Sequence, residues 1–169
     1  FFNPAAREAI QWTQSVLTEE NRVWLNQLGY EFRMPDFLMV HGAPVNYFEY
    51  LLDIDAAGRA FAATDAPVIL IGHTHIAEYY ALAPDGSIAH KHLQHGGVVA
   101  LEEGTRYIVN VGSVGQPRDL NPKASFAFYD TAARTLTIER FDYAIAEVQR
   151  KIEAANLPAT LATRLEQGR

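Results

Sequence analysis

The fold is best predicted from one stretch of sequence, Pro67-Val68-Ile69-Leu70-Ile71-Gly72-His73-Thr74-His75. An apolar run ends there in a glycine, and two histidines follow it one residue apart. The run is typical of a buried strand, and open sheets collect their functional residues where such strands end. A second apolar run, Phe37-Leu38-Met39-Val40, leads into His41. Two strands that each deliver histidine at their ends indicate a metal centre, because imidazole suits zinc, iron, manganese and nickel.

The bulk composition indicates a single globular domain over residues 1–169, with 49% hydrophobic and 20% charged residues. The net charge is -6 and no cluster of lysine or arginine is present, which argues against a nucleic-acid surface. No apolar run is long enough to cross a bilayer, and no signal segment opens the chain. Since cysteine is absent, a disulfide scaffold is excluded. We therefore expect a cytoplasmic protein without a membrane partner.

Local signals predict alternating helices and strands, and hence an α/β fold. Asn3 and Thr18 are typical helix caps, and the second helix is expected to stop at Gly29. A loop and helical stretch is expected from Tyr47 to about Thr64, with an interruption near Gly58. Strands are predicted at 30–33, 37–41, 67–71, 78–83, 87–93, 105–111, 125–129 and 135–141. A further helix over 143–155 is predicted to turn Ile145, Val148 and Ile152 inward.

The histidines of His73-Thr74-His75 have a plainer interpretation as polar residues of a loop. Residues two apart face the same way in an extended segment, but a glycine turn loosens that rule. The pair could therefore serve one ion or two adjacent ions. His41, which also follows an apolar strand, favours the metal interpretation. His90 and His92 repeat the His-x-His pattern in a polar hairpin, where we expect them to be solvated.

A third strand end carries the turn-rich stretch Asn110-Val111-Gly112-Ser113-Val114-Gly115-Gln116-Pro117-Arg118. Closely spaced glycines expose backbone N–H groups that suit an anion, and Arg118 could bind a phosphate with two parallel hydrogen bonds. The alternative is a tight connection in which Arg118 pairs with Asp119 or another carboxylate.

These residues resemble the calcineurin-like metallophosphoesterase family, and in particular its small bacterial and archaeal phosphodiesterase-like members. The resemblance rests on His41-Gly42, on Gly72-His73-Thr74-His75 and on the stretch from Asn110 to Arg118. It implies a β-sandwich flanked by helices, two divalent metal ions (Mn, Fe, Ni or Zn) and a phosphate-ester substrate. By resemblance, His41 and His73 would bind one metal, His75 the other, and Arg118 would lie at the substrate's entrance.

The family places three further motifs upstream: Asp-x-His, Gly-Asp-x-x-Asp and Gly-Asn-His followed by Asp or Glu. None of them occurs here, and they include the histidine that acts on the leaving group, so no residue of this chain is assigned as a catalytic acid. Position 1 is Phe, and Phe1 would align just after the last of these motifs. We therefore expect the C-terminal part of a phosphoesterase domain, lacking the N-terminal strands and inactive alone. An N-terminal fragment or self-association would complete it.

Two other interpretations remain open from the sequence. The first is a truncated, non-catalytic module that binds a partner or a nucleotide. The second is a mononuclear metal hydrolase of unrelated fold, which needs a carboxylate near the histidines. The candidates for that carboxylate are Asp36, Glu49, Asp53 and Glu78.

Overall fold

A computed structural model describes residues 3–169, so Phe1 and Phe2, which entered the sequence argument, lie outside the described residues. Five α-helices, nine strands and one short 3-10 helix are found in the described part. In chain order they are α1 (Pro4–Val16), α2 (Glu19–Gln27), β1 (Glu31–Met34), β2 (Phe37–Val40), α3 (Ile54–Ala62), β3 (Val68–Ile71), β4 (Ala77–Leu82), β5 (Ile88–His92), β6 (Gly97–Ala100), β7 (Arg106–Val111), β8 (Ala124–Asp130), β9 (Thr135–Phe141), α4 (Ile145–Ala154), α5 (Ala159–Thr163) and the 3-10 helix (Arg164–Gln167). No helix in residues 3–169 has the length and hydropathy that a bilayer crossing requires.

The described chain divides into two compact units, and the expectation of a single domain stays a prediction. One unit comprises residues 3–29 and 143–167 and is helical. Both predicted caps are confirmed: the Asn3 side chain accepts from the Ala6 N–H at 2.8 Å, and Thr18 accepts from the Asn21 N–H at 3.2 Å.

Two details of this helical unit differ from the sequence predictions. The second helix ends at Gln27 rather than at Gly29. Ile145, Val148 and Ile152 of α4 are half-buried, and no residue of that helix is fully buried. The apolar spacing therefore identified the correct face of α4 but overstated how deeply it is covered.

The other unit, residues 30–142 with 168–169, contains all nine strands. Six of them form a mixed sheet in the order β1-β2-β3-β7-β4-β5, and β6-β9-β8 form an antiparallel sheet. One face of the larger sheet packs against α3, and the other packs against the smaller sheet. The predicted α/β fold, a β-sandwich flanked by helices, is confirmed.

The central strand β3 explains why its sequence is apolar without interruption. Ile69 and Ile71 belong to the core beneath α3, whereas Val68 and Leu70 belong to the core between the two sheets. Alternate residues of a strand point to opposite faces, so a strand covered on both faces needs apolar residues throughout.

Two local predictions are wrong. The loop and helical stretch expected from residue 47 to about 64 is present, with α3 beginning at Ile54, where the Asp53 side chain caps it by accepting from the Ala56 N–H at 2.7 Å. The expected interruption near Gly58 is wrong, because α3 runs through that residue without a break. The second error is an omission, since β6 was not predicted; it is four residues long, and Gly96 and Gly97 at its start both have positive φ.

Candidate metal centre

Three parallel neighbours, β2, β3 and β7, bring the candidate ligands to one edge of the larger sheet. Met39 pairs with Leu70, and Leu70 pairs with Val109, so the three strands end at nearly the same level. His41 directly follows β2, and His73 and His75 follow β3. Parallel strand pairing therefore brings His41 close to His73, which lies 32 residues further along the chain.

His41 and His73 are in direct contact. Nδ1 of His73 lies 2.9 Å from Nε2 of His41, and Nε2 of His73 lies 3.1 Å from the carbonyl oxygen of Phe48. Because a carbonyl can only accept, the proton of His73 is assigned to Nε2, which leaves the lone pair of Nδ1 directed at His41.

The distance between Nδ1 of His73 and Nε2 of His41 is that of a hydrogen bond, and it is also short enough for two ligands of one metal ion. Two imidazole nitrogens that each lie about 2.1 Å from one ion are roughly 3 Å apart when they subtend a right angle, close to the distance found here. A carbonyl that fixes the tautomer of a histidine ligand is also a frequent partner in protein metal sites.

His75 is fixed in a similar way but lies apart from the other two. Its Nδ1 is 2.8 Å from the carbonyl oxygen of Gln116, which leaves Nε2 available. The ligand atoms of His41, His73 and His75 do not all lie within 4.8 Å of one another. The described group of three that meets this distance is Glu78, His90 and His92.

The loop after β3 adopts an unusual backbone conformation. His73 and His75 have φ of 63° and 62°, in the left-handed region that costs a non-glycine residue about 1–2 kcal/mol. The sequence argument expected Gly72 to make the turn, but the positive φ angles belong to the two histidines. Such strain persists only where surrounding contacts enforce it.

Asn110, at the end of β7, holds this loop in place. Its buried amide donates to the carbonyl of Gly72 and to Oγ1 of Thr74, both at 2.7 Å, and its Oδ1 accepts from the Gly112 N–H at 3.1 Å. Sequence reasoning assigned no role to Asn110. An asparagine inside an apolar strand was nonetheless a signal, because a buried amide needs hydrogen-bond partners.

Gly42 allows the chain to return towards His41. A Cβ at this position would lie 2.6 Å from the carbonyl oxygen of Tyr47 and 2.7 Å from that of Glu49. This close approach brings the carbonyl oxygen of the neighbouring Phe48 within hydrogen-bond distance of His73. The ring of Tyr50 also packs against His73, with the two ring centroids 3.9 Å apart. The glycine of the His-Gly motif is therefore required by packing.

The loop after β7 is internally bonded. Ser113 Oγ accepts from the N–H groups of Gly115 and Gln116, at 3.2 and 2.9 Å. The N–H of Gly112 donates to Asn110. The backbone N–H groups of Gly112, Gly115 and Gln116 are therefore all engaged, whereas the glycine spacing had suggested that this loop could bind an anion.

Arg118 does not pair with Asp119, because the Asp119 carboxylate forms a buried ion pair with Arg140. Instead, Nη2 of Arg118 donates to the side-chain oxygen of Gln116 at 2.9 Å, and its backbone N–H donates to the carbonyl of His75. Its Nε is buried and makes no hydrogen bond within the described residues. The guanidinium thus retains unused donor capacity beside His75.

Burial lowers the pKa of His73 and of His75 below the ordinary value of 6.5, and the nearby charge of Arg118 lowers both further. The lowered pKa favours the neutral form of both rings. Since only the neutral imidazole can bind a metal, the electrostatics of the site favour ligation.

A family profile described as a calcineurin-like phosphoesterase superfamily domain matches residues 15–134. The chain is 33% identical over 175 residues to an uncharacterized protein of Methanocaldococcus jannaschii, an alignment that covers 100% of this chain and 68% of that protein. The expectation that only the C-terminal part of the family's domain is matched is not supported by the profile.

Solved structures show the same likeness. A metallophosphoesterase from Sphaerobacter thermophilus superposes with a TM-score of 0.89 at 37% identity, covering 100% of this chain and 70% of that one. A hypothetical protein from Pyrococcus horikoshii OT3 gives a TM-score of 0.73 at 18% identity over 99% of this chain and 62% of that one. The second match, at this low identity, shows the fold alone.

Replacing Gly42 with alanine tests the close approach at the His-Gly motif. We expect Gly42→Ala to lower the free energy of unfolding by about 1–3 kcal/mol, because the added methyl group would overlap two backbone carbonyls. Urea denaturation measures the change. Gly115→Ala is the matched control, since a Cβ there meets nothing within 4 Å, and an equal loss in both variants would contradict the interpretation.

The protonation of the candidate ligands can be measured directly. NMR titration of the histidine ring carbons should give a pKa below 6.5 for both His73 and His75. In Arg118→Gln both values should rise, because a neighbouring positive charge is removed. A value at or above 6.5 for either ring in the unmodified protein would refute the account of burial given above.

Proposed function

This chain belongs to the calcineurin-like phosphoesterase superfamily, and on that basis we propose that it supplies the histidine ligands of a dinuclear, metal-dependent phosphoesterase site. The observation that carries the proposal is the contact between His41 and His73, in which a carbonyl group fixes the tautomer of His73. The substrate would be a phosphomonoester or a phosphodiester.

In this proposal His41 and His73 hold one ion and His75 holds the other, with Mn, Fe, Ni or Zn as the candidate metals. The ions, when bound, would polarise the phosphoryl oxygens and activate a water for attack on phosphorus. The histidine tautomers are maintained by the carbonyl groups of Phe48 and Gln116, which accept from the nitrogens that face away from the ions.

Arg118 is the proposed substrate-binding residue. Gln116 accepts from one nitrogen of this half-buried guanidinium, and a phosphate oxygen would accept from the remaining terminal N–H groups. The positive charge beside His75 would also attract an anionic substrate. Arg118 therefore acts in binding and orientation, and it transfers no proton because a guanidinium stays charged.

The two-metal form of the proposal requires carboxylate ligands besides the three histidines, and the sequence resemblance assigns these to motifs that do not occur in residues 1–169. The chain by itself would then have little activity. Apolar side chains on β1 and β2, those of Phe32, Met34 and Met39, are exposed. They support the further proposal that an N-terminal fragment or a second copy covers this region.

A non-catalytic module that binds a partner or a nucleotide is the second candidate. Two carboxylates proposed as metal ligands are already engaged in other contacts, which favours this candidate. Glu49 accepts from Arg59 at 2.7 Å, and Asp53 caps α3. The third interpretation, a metal hydrolase of unrelated fold, is wrong because the family is established.

Substitution of the candidate ligands separates the enzyme from the binding module. In the natural full-length protein, His73→Ala or His75→Ala should abolish metal-dependent hydrolysis of a nitrophenyl phosphate monoester or diester, since a ligand is lost. His90→Ala and His92→Ala are the matched controls and should retain activity. Equal losses in all four variants would contradict the site assignment, and no hydrolysis by the unmodified protein would favour the module.

The role of Arg118 predicts a change in substrate binding alone. Arg118→Gln should raise KM about tenfold or more, the usual effect of losing a charge-assisted hydrogen bond, while the bound metal content stays constant. Steady-state kinetics and metal analysis provide the two measurements, with the exposed Arg7→Gln as control. An unchanged KM would argue against substrate contact.

A further inference from the structure

A second group of metal-ligating side chains lies on the hairpin formed by β4 and β5. Glu78 is directly opposite His92 in the antiparallel register, and His90 is opposite Tyr80, so the three side chains share one face. Oε2 of Glu78 lies 2.8 Å from Nε2 of His90 and 3.3 Å from Nδ1 of His92. All three ligand atoms lie within 4.8 Å of one another.

The charge of Glu78 is poorly compensated without a cation. Its side chain is only 3% exposed, and burial raises its pKa. The side chains that contact the carboxylate are the rings of His90 and His92. A buried carboxylate is costly unless it is paired or coordinates a metal. A divalent cation would bind the carboxylate together with the ring nitrogens that face it, Nε2 of His90 and Nδ1 of His92.

The group is also held in position before any ion arrives. The ring of His90 stacks on that of buried Tyr80, with centroids 4.3 Å apart and an angle of 4° between the planes. His90 is an exposed residue, as expected, although the stack and Glu78 cover part of its side chain, which is 24% exposed. His92 is 63% exposed, as expected, and leaves an open approach from solvent.

We propose that Glu78, His90 and His92 form a second divalent-metal site, suited to Zn²⁺ and separate from the candidate centre at His41, His73 and His75. Two imidazoles and one carboxylate make a donor set that zinc accepts, and three protein ligands leave a position for water. N and O donors hold zinc more tightly than manganese or iron. The site joins two strands, so bound Zn²⁺ stabilises the hairpin by favouring the folded state.

Calorimetric titration with Zn²⁺ tests the proposal in the full chain. The parent is His73→Ala/His75→Ala, in which the candidate centre is disabled, and we expect it to bind one equivalent of Zn²⁺. Adding His92→Ala should weaken that binding at least about tenfold, because one of three protein ligands is lost. His95→Ala, which removes an exposed histidine outside the group, is the matched control and should leave the affinity unchanged.

The unmodified chain provides a check against misfolding. There His92→Ala should remove one bound equivalent of Zn²⁺ and abolish part of the zinc-induced rise in Tm, while Tm without zinc stays constant because His92 is largely exposed. Glu78→Gln should also abolish that binding. The proposal is overturned if the parent binds no Zn²⁺, if His92→Ala binds it as tightly as the parent, or if His95→Ala causes the same loss.

Discussion

The buried amide of Asn110 is the interaction on which the candidate centre depends. It ties the end of β7 to the loop that follows β3, and it does so with two donated bonds of 2.7 Å and one accepted bond. Each left-handed histidine in that loop costs about 1–2 kcal/mol. Buried hydrogen bonds of this kind are expensive to leave unmade, so the amide enforces a loop conformation that the chain would otherwise avoid.

The rest of the centre follows from this constraint and from parallel strand pairing. With the loop fixed, His73 lies between His41 and the Phe48 carbonyl, and Gly42 allows that carbonyl to approach. His75 turns towards the other side, where the loop after β7 supplies the Gln116 carbonyl and Arg118. The two histidines therefore face different surroundings although one residue separates them.

The strands could be predicted from sequence because each carries its signal locally. β3 is apolar throughout since both of its faces are covered. The strands predicted at 78–83 and 87–93 correspond to the paired strands β4 and β5, and Pro84-Asp85-Gly86 between them are typical turn residues. Arrangements set by distant contacts could not be predicted. The fixing of His73 by a carbonyl 25 residues away, and the meeting of Glu78 with His90 across two strands, depend on register and packing that no short segment encodes.

The two edges of the six-stranded sheet differ in a way that bears on association. At one edge β5 carries His90, Lys91 and His92, polar groups that oppose the addition of a further strand. At the other edge β1 exposes Phe32 and Met34. Addition of further strands to this sheet is therefore expected at one edge only. The polar edge at β5 opposes it, whereas the edge at β1 is where aggregation or ordered assembly would start.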